Sequence, residues 1–134
     1  MKKLSALPSW LFTTVTLIAI LWLTLAPKPL GDQPPPLFPG ADKLAHAIMF
    51  GGLVWMIFLD IQRKHLWRPI KLNNAIIIAI TVSILGILIE IAQATMGLGR
   101  GFEILDIISD AVGAFLFAFI WLILQKYWSL IPRD

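Results

Sequence analysis

Six side chains that can titrate, ligate a metal or hydrogen-bond recur at helical spacing in an otherwise apolar sequence. They form the pairs Asp42 and His46, Glu90 and Gln93, and Asp106 and Asp110. Residues three or four apart share one helix face, so each pair is one polar stripe. Gly86 and Gly97 extend the second stripe and Gly113 the third. A histidine among carboxylates can act as an acid–base pair or hold a metal for hydrolysis or group transfer. Between the second and third stripes lies Gly97-Leu-Gly-Arg100-Gly-Phe-Glu103, whose glycines would let Arg100 fold back over the helix ends. Arg100 with Lys43 would suit a phosphate, held directly or bridged to the acids through a divalent cation.

These residues sit in an unusual medium. The chain has 134 residues, 58% hydrophobic and 14% charged, well short of the roughly one-quarter charged content of soluble domains. A small soluble domain could not cover that much apolar surface. Four apolar stretches predict helices at about 9–26, 42–60, 74–95 and 104–125, each near the length that crosses a ~30 Å hydrocarbon core. Period-2 alternation is missing, which argues against barrel strands. The expected fold is therefore all-α, a single integral membrane four-helix bundle spanning residues 1–134. The first stretch, preceded by Lys2 and Lys3, also has the look of a signal peptide. Its long apolar core and the proline after Ala26 favour an uncleaved helix.

Lys and Arg collect on the cytoplasmic side of short loops. Lys2, Lys3, Arg63, Lys64, Arg68, Lys71, Lys126 and Arg133 fall on one predicted side, against Lys28, Lys43 and Arg100 on the other. Both termini are thus expected inside, and the tryptophans, mostly near predicted helix ends, read as interfacial anchors. The outer segment 27–41 carries six of nine prolines and reads as a stiff linker setting helix spacing. The cysteine count of zero removes disulfides and thiolate chemistry. The basic residues are those the topology already demands, so nucleic acid is not an expected partner.

With that topology, the second and fourth helices run inward and the third outward. His46 then lies ~6 Å from the start of its helix, Glu90 ~10 Å from the end of its own, and Asp110 ~10 Å from the start of the fourth. All six polar residues share the outer half, and the inner halves hold only apolar and weakly polar residues. Charges in the hydrocarbon cost about 2.5–3.5 kcal/mol each at mid-helix and are functional by default. Plainer roles exist for each residue. Asp42 could cap its helix, Glu103 and Asp106 could complement a helix dipole, His46 could be a packed histidine, and Gln93 could be interhelical glue. Glu90 and Asp110 are too deep for such roles without a shared proton, a cationic neighbour or a metal.

The ordered set Asp42-Lys-Leu-Ala-His46-Ala-Ile-Met-Phe50, Glu90-Ile-Ala-Gln93, Gly99-Arg100 and Asp106-Ile-Ile-Ser-Asp110-Ala-Val-Gly113 resembles the VanZ-like family of small bacterial membrane proteins. The resemblance covers about half the chain and departs from the usual family pattern at Asp110, often Asn, and Phe117, often Gly. It implies a bacterial envelope protein, because the family is named for a member associated with low-level resistance to the glycopeptide teicoplanin. It also implies that Asp42, His46, Glu90, Gln93, Arg100, Asp106 and Asp110 are the functional positions. The leading expectation is a multi-pass protein of the bacterial cytoplasmic membrane that binds an anionic lipid or lipid-linked precursor at the outer leaflet. The alternative is a membrane-embedded hydrolase or transferase working on a lipid headgroup through His46, Glu90, Asp106 and Asp110. Proton movement is disfavoured, because no ionisable path continues into the inner halves of the helices.

Overall fold

The computed structural model describes residues 7–27, 31, 36–97, 99 and 101–128. Within them lie four helices, α1 (Leu11–Leu25), α2 (Ala41–Lys64), α3 (Leu72–Thr95) and α4 (Ile104–Trp128), with no strand among the described residues. The chain is thus an all-α four-helix bundle. Three of these helices are long and apolar enough to cross a membrane.

The first helix is shorter than its apolar stretch, at 15 residues, or roughly 22 Å at 1.5 Å per residue. Proline sets the outer limit: Ala26, next to Pro27, is extended at ψ 142°, as the residue before proline prefers. At the other end Trp10 takes a left-handed φ of 65° and supplies no side-chain cap. The second helix runs past its apolar residues to Lys64, one turn beyond the expected end, and stops where Leu66 and Trp67 adopt positive φ.

Helix α4 is the organising element, packed extensively on α2 and α3, while α1 lies mainly against α2. The α2–α4 approach is close because Gly113 has no side chain. A Cβ there would overlap the Ala47 carbonyl, the small-residue contact by which membrane helices associate. Deeper in the bundle Phe50, Leu53, Val54, Phe58, Ala114 and Trp121 form the core. Trp55 donates its indole N–H to the Phe117 carbonyl at 2.8 Å and meets Trp121 edge-on at 5.7 Å. Trp121, 5% exposed, is therefore a core residue and not an interfacial anchor, with the half-buried Trp55 packed against it from α2; its packing partners on the facing helix decide this, and position along a helix does not. The outward face is the reverse of a soluble protein. Ile18, Ile77, Leu88, Ile108, Val112 and Phe119 are all more than half exposed, an apolar surface fit for lipid.

The end of the bundle where α1 begins and α2 finishes holds an unexpected polar contact. Asp60 and Arg63, i and i+3 on α2, are buried and ion-paired at 2.9 Å. Asp60 also accepts the Thr13 backbone N–H at 2.8 Å, one of the amides that the start of α1 leaves unpaired. Arg63 donates to the Leu7 carbonyl at 3.1 Å. Two expectations need correction here, namely that the inner half carries only weakly polar residues and that Arg63 belongs to the loop. The pair caps α1 from a neighbouring helix. Nearby, the Gln125 side chain accepts from and donates to the Ile70 backbone at 2.9 Å each way, fastening the α2–α3 connection to α4.

Candidate functional site

The first turns of α2 and α4 and the last turns of α3 meet at one end of the bundle. His46 and Asp110 lie across the α2–α4 contact, with imidazole Nδ1 2.9 Å from Asp110 Oδ1. Asp110 is 1% exposed, and its other oxygen faces Gly86 of α3, where a Cβ would stand 2.6 Å away. A glycine is therefore required opposite this carboxylate. The far side of the imidazole, Nε2, looks toward Asp106 Oδ2 at 3.8 Å.

Glu90 completes the arrangement from α3. It is fully buried, and Oε2 accepts the Glu103 backbone N–H at 3.1 Å. Its Oε1 has no hydrogen-bond partner among the described residues. One ligand-type atom from each of His46, Glu90 and Asp106 lies within 4.8 Å of the other two. Gln93, one turn on from Glu90, is 3% exposed and donates to the Thr24 carbonyl at 2.7 Å, which ties the end of α1 to the same region.

Toward the rim Lys43 gathers the remaining acids. Its ammonium lies 2.8 Å from Asp42 and 2.5 Å from Asp106, and pairs with Glu103 as well. The expectation that Lys43 would stand ready for a phosphate is corrected, because three carboxylates surround it and satisfy its charge. Glu103, read from the sequence as a dipole complement, instead anchors both Lys43 and Glu90. The signal was present in the Asp42-Lys43 adjacency and the Glu103-x-x-Asp106 spacing, yet neither states which partner the lysine will choose.

Asp42, His46, Gln93, Gly99, Gly101, Glu103 and Asp106 line a cavity of about 280 Å³. Of the expected positions, Asp42, His46, Gln93 and Asp106 line it, with Asp42 at its exposed rim, while Glu90 and Asp110 are buried behind the lining and joined to it through Glu103 and His46. Arg100, flanked by two lining glycines, lies outside the described residues. Carboxylates outnumber cationic groups in the described cavity. Its chemistry therefore favours a cation, or an anion reached through one.

Comparison with curated proteins and with solved structures finds no match. The profile of the VanZ/LLP1 family matches residues 5–125, nearly the whole chain. With three helices suited to crossing a bilayer and an apolar outer face, this is a membrane protein, and it belongs to the VanZ/LLP1 family.

Proposed function

We propose that the protein binds the anionic headgroup of a phospholipid or lipid-linked cell-envelope precursor in this cavity, at the outer leaflet of a bacterial cytoplasmic membrane. The observation that carries the proposal is a polar cavity of about 280 Å³ at one end of a bundle whose outer face is apolar. A lipid can place its chains along that face while its headgroup enters the cavity. The N-terminal ends of α2 and α4 lie there, where free amides and the helix dipole favour anions. Arg100 contacts the headgroup in this proposal, and the acids and His46 orient it directly or through a divalent cation.

Orientation is part of the proposal. Lys64, Arg68, Lys71 and Lys126 belong to the opposite end of the bundle, which supports cytoplasmic termini and an outer-leaflet cavity.

A second function draws on one specific observation, the His46–Asp110 contact at 2.9 Å. A carboxylate that orients an imidazole beside Glu90 is an arrangement for proton transfer, so the same cavity would suit hydrolysis or transfer at the headgroup. Lipid binding and lipid consumption by Arg100→Ala, Glu90→Gln and Asp110→Asn, measured with and without chelator, separate the two. Loss of binding supports the binding protein; lost turnover with retained binding supports the enzyme. Unchanged binding and turnover in all three variants would leave the cluster a purely structural one.

A further inference from the structure

The carboxylates of the site divide their oxygens in a consistent way. Asp106 gives one oxygen to Lys43 at 2.5 Å and turns the other toward His46 Nε2 at 3.8 Å. Glu90 gives one oxygen to the Glu103 N–H and keeps the other buried without a hydrogen-bond partner among the described residues. Asp110 holds His46 by Nδ1. With Nδ1 donating to Asp110, the imidazole presents the lone pair of Nε2 toward Asp106.

We propose that His46 Nε2 and one oxygen each of Glu90 and Asp106 form a three-ligand site for a first-row divalent transition metal, with Asp110 positioning the histidine. Metal-bound histidines characteristically donate their second ring N–H to a carboxylate, which fixes the ring and its tautomer. Three protein ligands of nitrogen and oxygen type leave at least one position for an outside ligand. Ligand atoms of a tetrahedral zinc at about 2.0–2.1 Å stand roughly 3.3–3.4 Å apart. The 3.8 Å between His46 and Asp106, and the 4.8 Å bound on the full set, close to that by side-chain movement alone.

Charge points the same way. A wholly buried carboxylate oxygen with no donor is costly, and a divalent ion supplies the missing partner for Glu90 while offsetting the neighbouring acids. The adjacent group Asp42, Glu103 and Asp106 is not a second ion site, because the Lys43 ammonium already contacts all three carboxylates. The imidazole nitrogen favours Zn²⁺ over the harder Mg²⁺ and Ca²⁺, and Mn²⁺, which accepts oxygen-rich sites, serves as the paramagnetic probe. This inference deepens the lipid-headgroup proposal and rests on it for what fills the open position, but the ion itself is detected without lipid.

The test uses tag-free, full-length protein in detergent, stripped with chelator and titrated calorimetrically with Zn²⁺ and Mn²⁺. One ion per chain is expected, with Mg²⁺ and Ca²⁺ at least about tenfold weaker than Zn²⁺. His46→Ala and Glu90→Gln should each lower affinity by about 100-fold, and Asp110→Asn by about 10- to 100-fold. His65→Ala should stay within about twofold, since His65 is exposed at the far end of α2 and lies outside the ligand set. Helical circular dichroism and gel filtration identify a variant that fails to fold. Pulsed paramagnetic resonance of Mn²⁺ on the unmodified protein then decides independently, with imidazole nitrogen coupling expected. Absence of stoichiometric binding, absence of that coupling, or affinity lost in His65→Ala but kept in Glu90→Gln would overturn the site. Metal binding that survives while no anionic lipid binds would instead remove the lipid proposal and leave the metal site standing.

Discussion

Asp110 reaches His46 at 2.9 Å only because Gly86, on a third helix, leaves room behind it. The Asp110 oxygen that does not contact the imidazole occupies the space a Gly86 side chain would take. Packing of α3 on α4 and orientation of the His46 ring are therefore one constraint, and a change to either should be felt by both.

Gly86→Ala should destabilise the bundle by about 1–3 kcal/mol, the usual cost of overfilling a packed interior. Gly52→Ala is the matched control, since nothing lies within 4 Å of a Cβ there. Unfolding by titration with a denaturing detergent measures both. Equal stability of the two variants would contradict the close approach.

The buried Asp60–Arg63 ion pair gives a second stability test. Arg63→Ala leaves Asp60 buried without its cation, and removing one partner of a buried pair costs about 3–5 kcal/mol. The double variant Asp60→Asn with Arg63→Gln should lose less, because no charge is stranded. A double variant as unstable as Arg63→Ala in the same titration would show that the contacts of Arg63 with the Leu7 segment, and not its charge, are what matter.

Trp55 and Trp22 should respond differently to the same substitution. Trp55→Phe removes the donor to the Phe117 carbonyl, a loss of about 0.5–1.5 kcal/mol for one hydrogen bond. Trp22, 62% exposed, should tolerate Phe with little change. Brominated lipid in reconstituted vesicles should quench Trp22 strongly and Trp121 weakly; the opposite order would invert the assignment of core and lipid face.

Helix number and the convergence of three polar stripes were legible because run length and a fixed rise per residue set them. His46, Glu90 and Asp110 had only to be counted from their helix ends. Rotamers and partners were not legible. Lys43 stood near two helix N-termini and so read as an anion site, yet it folds onto Asp42, Glu103 and Asp106. Asp60 and Arg63 carried an i,i+3 ion-pair signal, but the apolar run ended at Leu59 and a charged residue beyond it looks like a loop residue. Trp121 resembles an interfacial anchor by position along its helix. Only the ring packing with Trp55 and Phe58 shows it to be core.

The proposed topology rests on the charge distribution and is tested separately. Reporter fusions at both termini and after Lys71 should read as cytoplasmic, and one placed at Gly31 as external. An external C-terminus would move the cavity to the cytoplasmic leaflet and remove the outer-leaflet ligands from consideration.

The central claim is that the cavity holds an anionic headgroup, and native mass spectrometry of the protein extracted with its own membrane lipids tests it most directly. The expected result is one retained anionic phospholipid or polyprenyl phosphate per chain, lost from Arg100→Ala and weakened in Asp106→Asn while both variants remain folded. A folded chain without bound anionic lipid, or one that retains the same lipids in both variants, would contradict the account.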